Sequence, residues 1–245
     1  MTTDEDFAPL AQGARTLGLE LAAEQVALFA RFRCELLDWN QRVNLTAIAD
    51  PALVLTRHFL DALTVVLAVP AQHRARPLRV VDVGAGAGLP GLALKIVLPH
   101  WQIAELDSVG KKTRFIAHVA HVLGLQGVTV LTGRAEDLAR ERQHRERYDL
   151  CLARGVAPLR VLAEYTLPFC AVGGLTIAMK KGDITRELDE GRRAVGQVGG
   201  RLEPLVRVPA LPDLGDERVL VLCHKVRPTL PHLPRAAGIP AKRPL

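Results

Sequence analysis

Arg79-Val80-Val81-Asp82-Val83-Gly84-Ala85-Gly86-Ala87-Gly88-Leu89-Pro90-Gly91 decides how this chain reads. An apolar run ends on an acid two positions before three alternating glycines, and a second apolar segment follows. Glycines at a strand-to-helix turn let the backbone approach a ligand and adopt angles closed to other residues. The next strand-like run, Trp101 to Leu106, closes on a second carboxylate, Asp107, which lies 23 residues (107 − 84) beyond Gly84. That is near the spacing at which the second strand of a βαβ unit offers an acid to a ribose. Together the two features point to a nucleoside cofactor. The acid before the glycines favours S-adenosylmethionine over nicotinamide, because a carboxylate at Asp82 would repel a pyrophosphate but orient an ammonium. Gly86-x-Gly88-x-x-Gly91 still spells the dinucleotide fingerprint, so an NAD-dependent oxidoreductase stays open.

Outward from this turn the chain alternates between strand and helix patterns. Strands are expected at 78–83, 101–106, 128–131, 148–153, 174–180, 201–208 and 218–224, with helices at 90–98, 110–123, 135–143, 158–167 and 184–197. The alternation predicts an α/β fold: a doubly wound, mostly parallel, seven-stranded sheet covered by helices on both faces. The loop of turn formers at 209–215 joins its strands without a helix and predicts an antiparallel pair at the sheet edge. Residues 1–76 read as a helical cap. Apolar Val26, Phe29, Ala30, Leu36 and Leu37 recur at helical spacing, and Asp50-Pro51 has the form of an N-cap followed by proline. The catalytic domain is expected over 77–226 and a basic, proline-rich tail over 227–245.

At 245 residues and 49% apolar content the chain can bury a full core. No apolar run approaches the roughly 18 residues of a membrane span, and the acidic start lacks the layout of a signal peptide. Cys34, Cys151, Cys170 and Cys223 are scattered without a C-x-x-C pair. They read as buried free thiols in a reducing cytoplasm, with no metal. The net charge is +6, and Lys225, Arg227, Arg235, Lys242 and Arg243 place five of those charges after residue 224 with no acid among them. A flexible basic end of this kind either contacts a polyanion such as RNA or is a solvated tail.

Ligands of doubly wound sheets sit beyond the carboxyl ends of the strands. There, Gly84 and Gly86 would turn backbone N–H groups to the cofactor, and Leu89-Pro90-Gly91 enters the helix. Asp107 offers two acceptor oxygens to a ribose, flanked by Ser108. Ala135 and Glu136 would reach the adenine amino edge, and Arg154 would stand where the transferred methyl emerges. Taken alone, Glu136 is also a helix first-turn acid and Arg154 a surface ion-pair partner.

Taken in order, these segments resemble the bacterial small-subunit rRNA guanine-N7 methyltransferases, the RsmG or glucose-inhibited division protein B family. The likeness is carried by Leu37-x-Trp39-Asn40, Asn44-Leu45-Thr46, Arg57-His58-x-x-Asp61, the glycine turn, Leu106-Asp107-Ser108-x-Gly110-Lys111-Lys112, Arg134-Ala135-Glu136, Ala153-Arg154-Gly155 and Arg235 to Leu245. The resemblance implies a class I S-adenosylmethionine-dependent methyltransferase, Rossmann-like, acting on a guanine in the decoding-region loop of 16S rRNA. It implies cofactor contacts at Gly84, Leu89, Asp107, Ser108, Ala135, Glu136 and Arg154. Arg57, Lys111 and the tail (Arg235, Lys242, Arg243) would face RNA, and the family's lysine-glycine pair fits Lys181-Gly182. Lys180 and Lys181 are assigned to phosphate. The expected form is a cytoplasmic monomer partnered by the small subunit or its rRNA, without membrane or metal.

Guanine N7 carries a lone pair and no proton, so the reaction needs positioning and desolvation but no general base. No catalytic side chain is assigned beyond Arg154 as a positioning candidate. His58 and Asp61, at helical spacing, read as a structural or RNA-positioning pair. A non-catalytic RNA-binding module on the same fold is the remaining alternative.

Overall fold

The computed structural model describes residues 4–211, 213–215 and 217–245. Eight strands form one sheet: β1 (Arg79–Val83), β2 (Gln102–Asp107), β3 (Val128–Thr132), β4 (Tyr148–Arg154), β5 (Cys170–Lys181), β6 (Gly200–Leu202), β7 (Val206–Arg207) and β8 (Arg218–Lys225). Their order is β3-β2-β1-β4-β5-β8-β6, with β7 also paired to β8. The first five run parallel and β8 runs antiparallel to β5. The strand order reverses between β1 and β4, which places a crevice above that pair. This is the mostly parallel, doubly wound α/β fold expected of a class I methyltransferase.

One strand was expected at 201–208 and two are present. Pro204 has no N–H to give to a ladder, so the segment breaks there into β6 and β7, both antiparallel to β8. The helix expected over 135–143 is likewise only Ala135–Leu138.

The helices are α1 (Ala8–Thr16), α2 (Ala23–Val43), α3 (Pro51–Val54), α4 (Asp61–Leu63), α5 (Ala71–Arg74), α6 (Gly91–Val97), α7 (Gly110–Val122), α8 (Ala135–Leu138), α9 (Leu159–Thr166), α10 (Thr185–Gln197) and α11 (Ile239–Lys242). Asp50 caps α3, its Oδ1 accepting from the amides of Ala52 at 2.8 Å and Leu53 at 3.2 Å. Such a cap contributes about 1 kcal/mol. A π-helical turn, Leu55–Leu60, joins α3 to α4, so that Pro51–Ala68 is helical throughout. With a mean hydropathy of 1.4 over 18 residues, it is long and apolar enough to cross a membrane by length and composition. Arg57, His58 and Asp61 nevertheless interrupt its apolar run, and 72% of the segment is buried inside this protein.

Alternation along the strands sorts the core into two layers. Val80, Ile103, Leu150, Leu152 and Ile177 face one side, where α6 and α7 pack together with α1, α2 and the 51–68 helix. Phe59 joins that layer through Phe29 at 5.1 Å and Phe32 at 5.0 Å between ring centroids, and Phe32 reaches Phe115 at 6.5 Å. The N-terminal helices therefore share the core of the sheet. Val81, Val83, Ala104, Cys151 and Ala153 face the other side, against α9 and α10. Cys34 is exposed, unlike the other three cysteines, which corrects the expectation that all four are buried.

Candidate active site

The glycine turn holds its own carboxylate in place. Gly84 and Ala85 donate to Leu106 O at 2.8 and 2.9 Å, and Gly86 N donates to Asp107 Oδ2 at 2.9 Å. The turn's N–H groups thus secure β2, which corrects the expectation that those of Gly84 and Gly86 face the ligand. Gly84 has φ +75°, and a Cβ there would lie 2.6 Å from Val156 Cγ2, so both backbone and space demand glycine. Asp107 Oδ1 accepts from Val109 N at 2.9 Å. Each oxygen therefore has one backbone donor and keeps acceptor capacity for a hydroxyl.

Asp107 lies on the wall of a cavity of about 270 Å³ formed by Val83, Gly84, Leu106, Ser108, Val109, Lys112, Gly133 to Glu136, Gly155, Val156 and Tyr165. Gly84, Asp107, Ser108, Ala135 and Glu136 come together here as expected positions. Gly86 stands behind Asp107, Leu89 is buried in the first core layer, and Arg154 lies elsewhere. Glu136 is buried, and its Oε1 accepts from Gly238 N at 2.8 Å and Arg134 Nη2 at 3.3 Å. Oε1 is thus held by the chain itself, while Glu136 also lines the cavity.

A second cavity of about 310 Å³ shares Gly155 with the first. Its lining includes Asp61, Arg154, Met179, Lys180, Lys181, Glu187 and Arg218. Asp61, buried, sits between two guanidiniums, with Arg154 Nη1 at 3.1 Å and Arg218 Nε at 3.0 Å. Arg154 also points at His58 O at 3.5 Å, on the π-helical turn. His58 Nε2 contacts Thr46 Oγ1 at 2.7 Å, and Asn40 clasps the Thr46 backbone at 2.9 and 3.0 Å. Burial and the nearby Arg154 charge hold the His58 pKa down at about 4. The ring is therefore neutral at pH 7. Its Nδ1, 3.1 Å from Arg57 O, must carry the proton, and Nε2 accepts from Thr46.

Lys180 is tied down: its Nζ lies 2.7 Å from both Ala157 O and Glu187 Oε1. Arg235 is likewise occupied by Glu164 at 2.7 Å. Both cations, expected at RNA, thus also have acidic partners within the chain. Arg57, Lys111, Lys181, Lys242 and Arg243 are exposed. Sequence reasoning missed Val156, Tyr165 and Arg218. Arg218 pairs across the ladder with Lys181, and no local pattern announces that partnership.

Asp82 was expected at the ligand and is not there. Fully buried, it accepts from Gly91 N at 2.8 Å through Oδ2, beside its ladder partner Glu105. Burial pushes Asp82 up to about 7 and, with Asp82 adding to it, pushes Glu105 well above the carboxylate range. The charge argument against a dinucleotide therefore loses its footing. Carboxyls with raised folded-state pKa values favour the fold fully below their unfolded values, near pH 4, and that contribution is lost as pH rises through about 7. Glu105→Gln should accordingly flatten the fall in thermal midpoint between pH 5 and pH 8. Parallel wild-type and variant pH profiles in calorimetric scans would refute the coupling. Among the described residues, no three His, Cys, Asp or Glu side chains cluster to hold a metal ion.

Residues 25–206 match the family described as GidB, rRNA small subunit methyltransferase G. This chain belongs to that family. The curated "Ribosomal RNA small subunit methyltransferase G" of Roseiflexus sp. (strain RS-1) is 47% identical over 95% of this chain and 97% of its own length. The protein of the same name from Dehalococcoides mccartyi (strain CBDB1) is 45% identical over 96% and 98%. Among solved structures, Aeropyrum pernix fibrillarin with natively bound S-adenosyl-L-methionine aligns with a TM-score of 0.48 at 16% identity, over 61% of this chain and 67% of that one. The chain is therefore a methyltransferase of small-subunit rRNA, as its GidB relatives are named.

Proposed function

We propose that this enzyme methylates N7 of a single guanine in the decoding-region loop of 16S rRNA, as a cytoplasmic monomer, by direct transfer without a general base. The observation that carries the reading is Asp107: two oxygens, each fixed by one backbone N–H and each with capacity left for one ribose hydroxyl, on the wall of a cavity. Ser108 flanks it, and Val83, Leu106, Val156 and Tyr165 supply an apolar lining for a purine face. When bound, S-adenosylmethionine supplies an electrophilic methyl whose bond to sulfur breaks as the N7 lone pair forms the new C–N bond, with no proton moved.

The second cavity, joined through Gly155, is assigned to the target base. Arg154 and Arg218 are steadied there by Asp61. The product base is cationic, so these cations and Lys181 are assigned to flanking phosphates. His58, neutral and hydrogen-bonded at both ring nitrogens, supports a reaction that asks for no base. Lys111, Arg57, Lys242 and Arg243 are proposed as further RNA contacts.

The test is incubation with methyl-labelled donor and small-subunit rRNA, followed by nucleoside mass spectrometry and single-turnover rates from pH 6 to 8. Label in one 7-methylguanosine, with a rate flat across that range, is expected. Label on another base or atom overturns the site. A rate rising tenfold per pH unit overturns base-free transfer.

A further inference from the structure

We infer that the C-terminal segment is a strap that sets one wall of the cofactor cavity, with Arg235 and Gly238 as positioning residues. This rests on the cofactor cavity described above. Composition alone gave the segment to RNA or to solvent. In the fold, Thr229, Leu233 and Pro240 are buried, and the chain returns from the end of β8 to the cavity.

Two of its attachments end on or beside residues of that wall. Glu136 lines the cavity at the start of α8 and accepts the Gly238 N–H. Glu164, fully buried, immediately precedes Tyr165, another lining residue. It takes Arg235 through four hydrogen bonds: the backbone amide at 2.5 Å, Nε at 3.0 and 3.1 Å, and Nη2 at 2.7 Å. The strap is laid down by arginines in the loop that follows α8. Arg140 holds Pro234 O at 2.7 and 3.1 Å, and Arg145 holds Leu233 O and Thr229 O at 2.8 Å each.

The physical need is clear from the elements being clamped. α8 is a single turn of four residues, too short to be stable by itself. Glu136 within it is a buried carboxylate that requires donors, and the strap supplies one from a backbone amide. Gly238 adopts φ +81°, with nothing within 4 Å of where a Cβ would stand. Glycine there serves the turn that aims its N–H at Glu136, since no crowding excludes a side chain. Arg235 is spent on this clamp, and the exposed Lys242 and Arg243 remain for other partners.

The full-length protein carrying Arg235→Ala, with Arg235→Lys as the conservative control, separates this role from RNA contact. The readouts are S-adenosylmethionine affinity by calorimetry, KM for rRNA, and amide exchange of the cofactor-free protein. Arg235→Ala should lose about tenfold in cofactor affinity. Its exchange should quicken at Ala135–Leu138 and Leu159–Thr166 while KM for rRNA stays within about twofold, and Arg235→Lys should recover most of the loss. Gly238→Ala, which strains only φ, should show the same pattern more weakly should Arg235→Ala fail to fold. Wild-type cofactor affinity and unchanged exchange in both variants overturn the strap, as does a rise in rRNA KM alone. A wild-type protein that binds no S-adenosylmethionine instead sinks the cofactor reading on which the strap depends.

Discussion

Asp107→Ala should weaken S-adenosylmethionine binding by at least about 100-fold, read by titration calorimetry. Hydrogen bonds to a charged group are each worth roughly 1.5–3 kcal/mol, and this substitution removes two acceptor oxygens from the proposed ribose. It also releases Gly86 N, whose bond at 2.9 Å holds the glycine turn against β2, and Val109 N, bonded at 2.9 Å at the entry to α7. Part of the loss is therefore of order in the apo cavity. Asp107→Asn distinguishes the two contributions, because its amide keeps one acceptor oxygen, and it should lose only about tenfold. Wild-type affinity in the alanine variant would remove Asp107 from the site.

The second large effect is expected at Asp61. Its carboxylate lies between Arg154 and Arg218, whose side chains are only 19% and 16% exposed. Taking the anion out of a largely buried charge cluster typically costs about 3–5 kcal/mol, because the cations remain without it. Asp61→Ala should therefore lower stability by about 3 kcal/mol in urea unfolding at pH 7. Methyl transfer should fall with it, since Arg154 is no longer aimed at the second cavity. Adding Arg154→Ala to Asp61→Ala should restore part of the stability, a non-additivity expected of groups in contact. Additive losses would mean that Asp61 acts through other neighbours.

Fold and site were not equally legible. Local grammar reveals the glycine turn, Asp107 and the strand–helix alternation, because each is set by neighbours a few residues away. The crevice follows from strand order, and strand order follows from that alternation. What stayed hidden depends on long-range pairing. Asp82 looks like a ligand because it precedes the glycines, yet its place on the strand turns it inward under Gly91. Arg218 meets Asp61 only because β8 runs antiparallel beside β5. The final segment misled for a chemical reason: proline richness and basic charge read as disorder when counted. Here proline and neighbouring carbonyls accept from Arg140 and Arg145, while Lys225 is buried against Leu167 O at 2.8 Å and Glu146 at 3.3 Å. Composition counts charges; it does not see which of them are already matched.

The aromatic seam formed by Phe29, Phe32, Phe59 and Phe115 has a consequence for how such enzymes diverge. A front end and a catalytic sheet joined through a single oily interior cannot be swapped as cassettes between distant relatives. A bulkier ring on either side must be answered by a smaller one opposite. The helix that carries His58 and Asp61 to the second cavity is part of that seam, so changes at that cavity have to be negotiated through packing as well as charge.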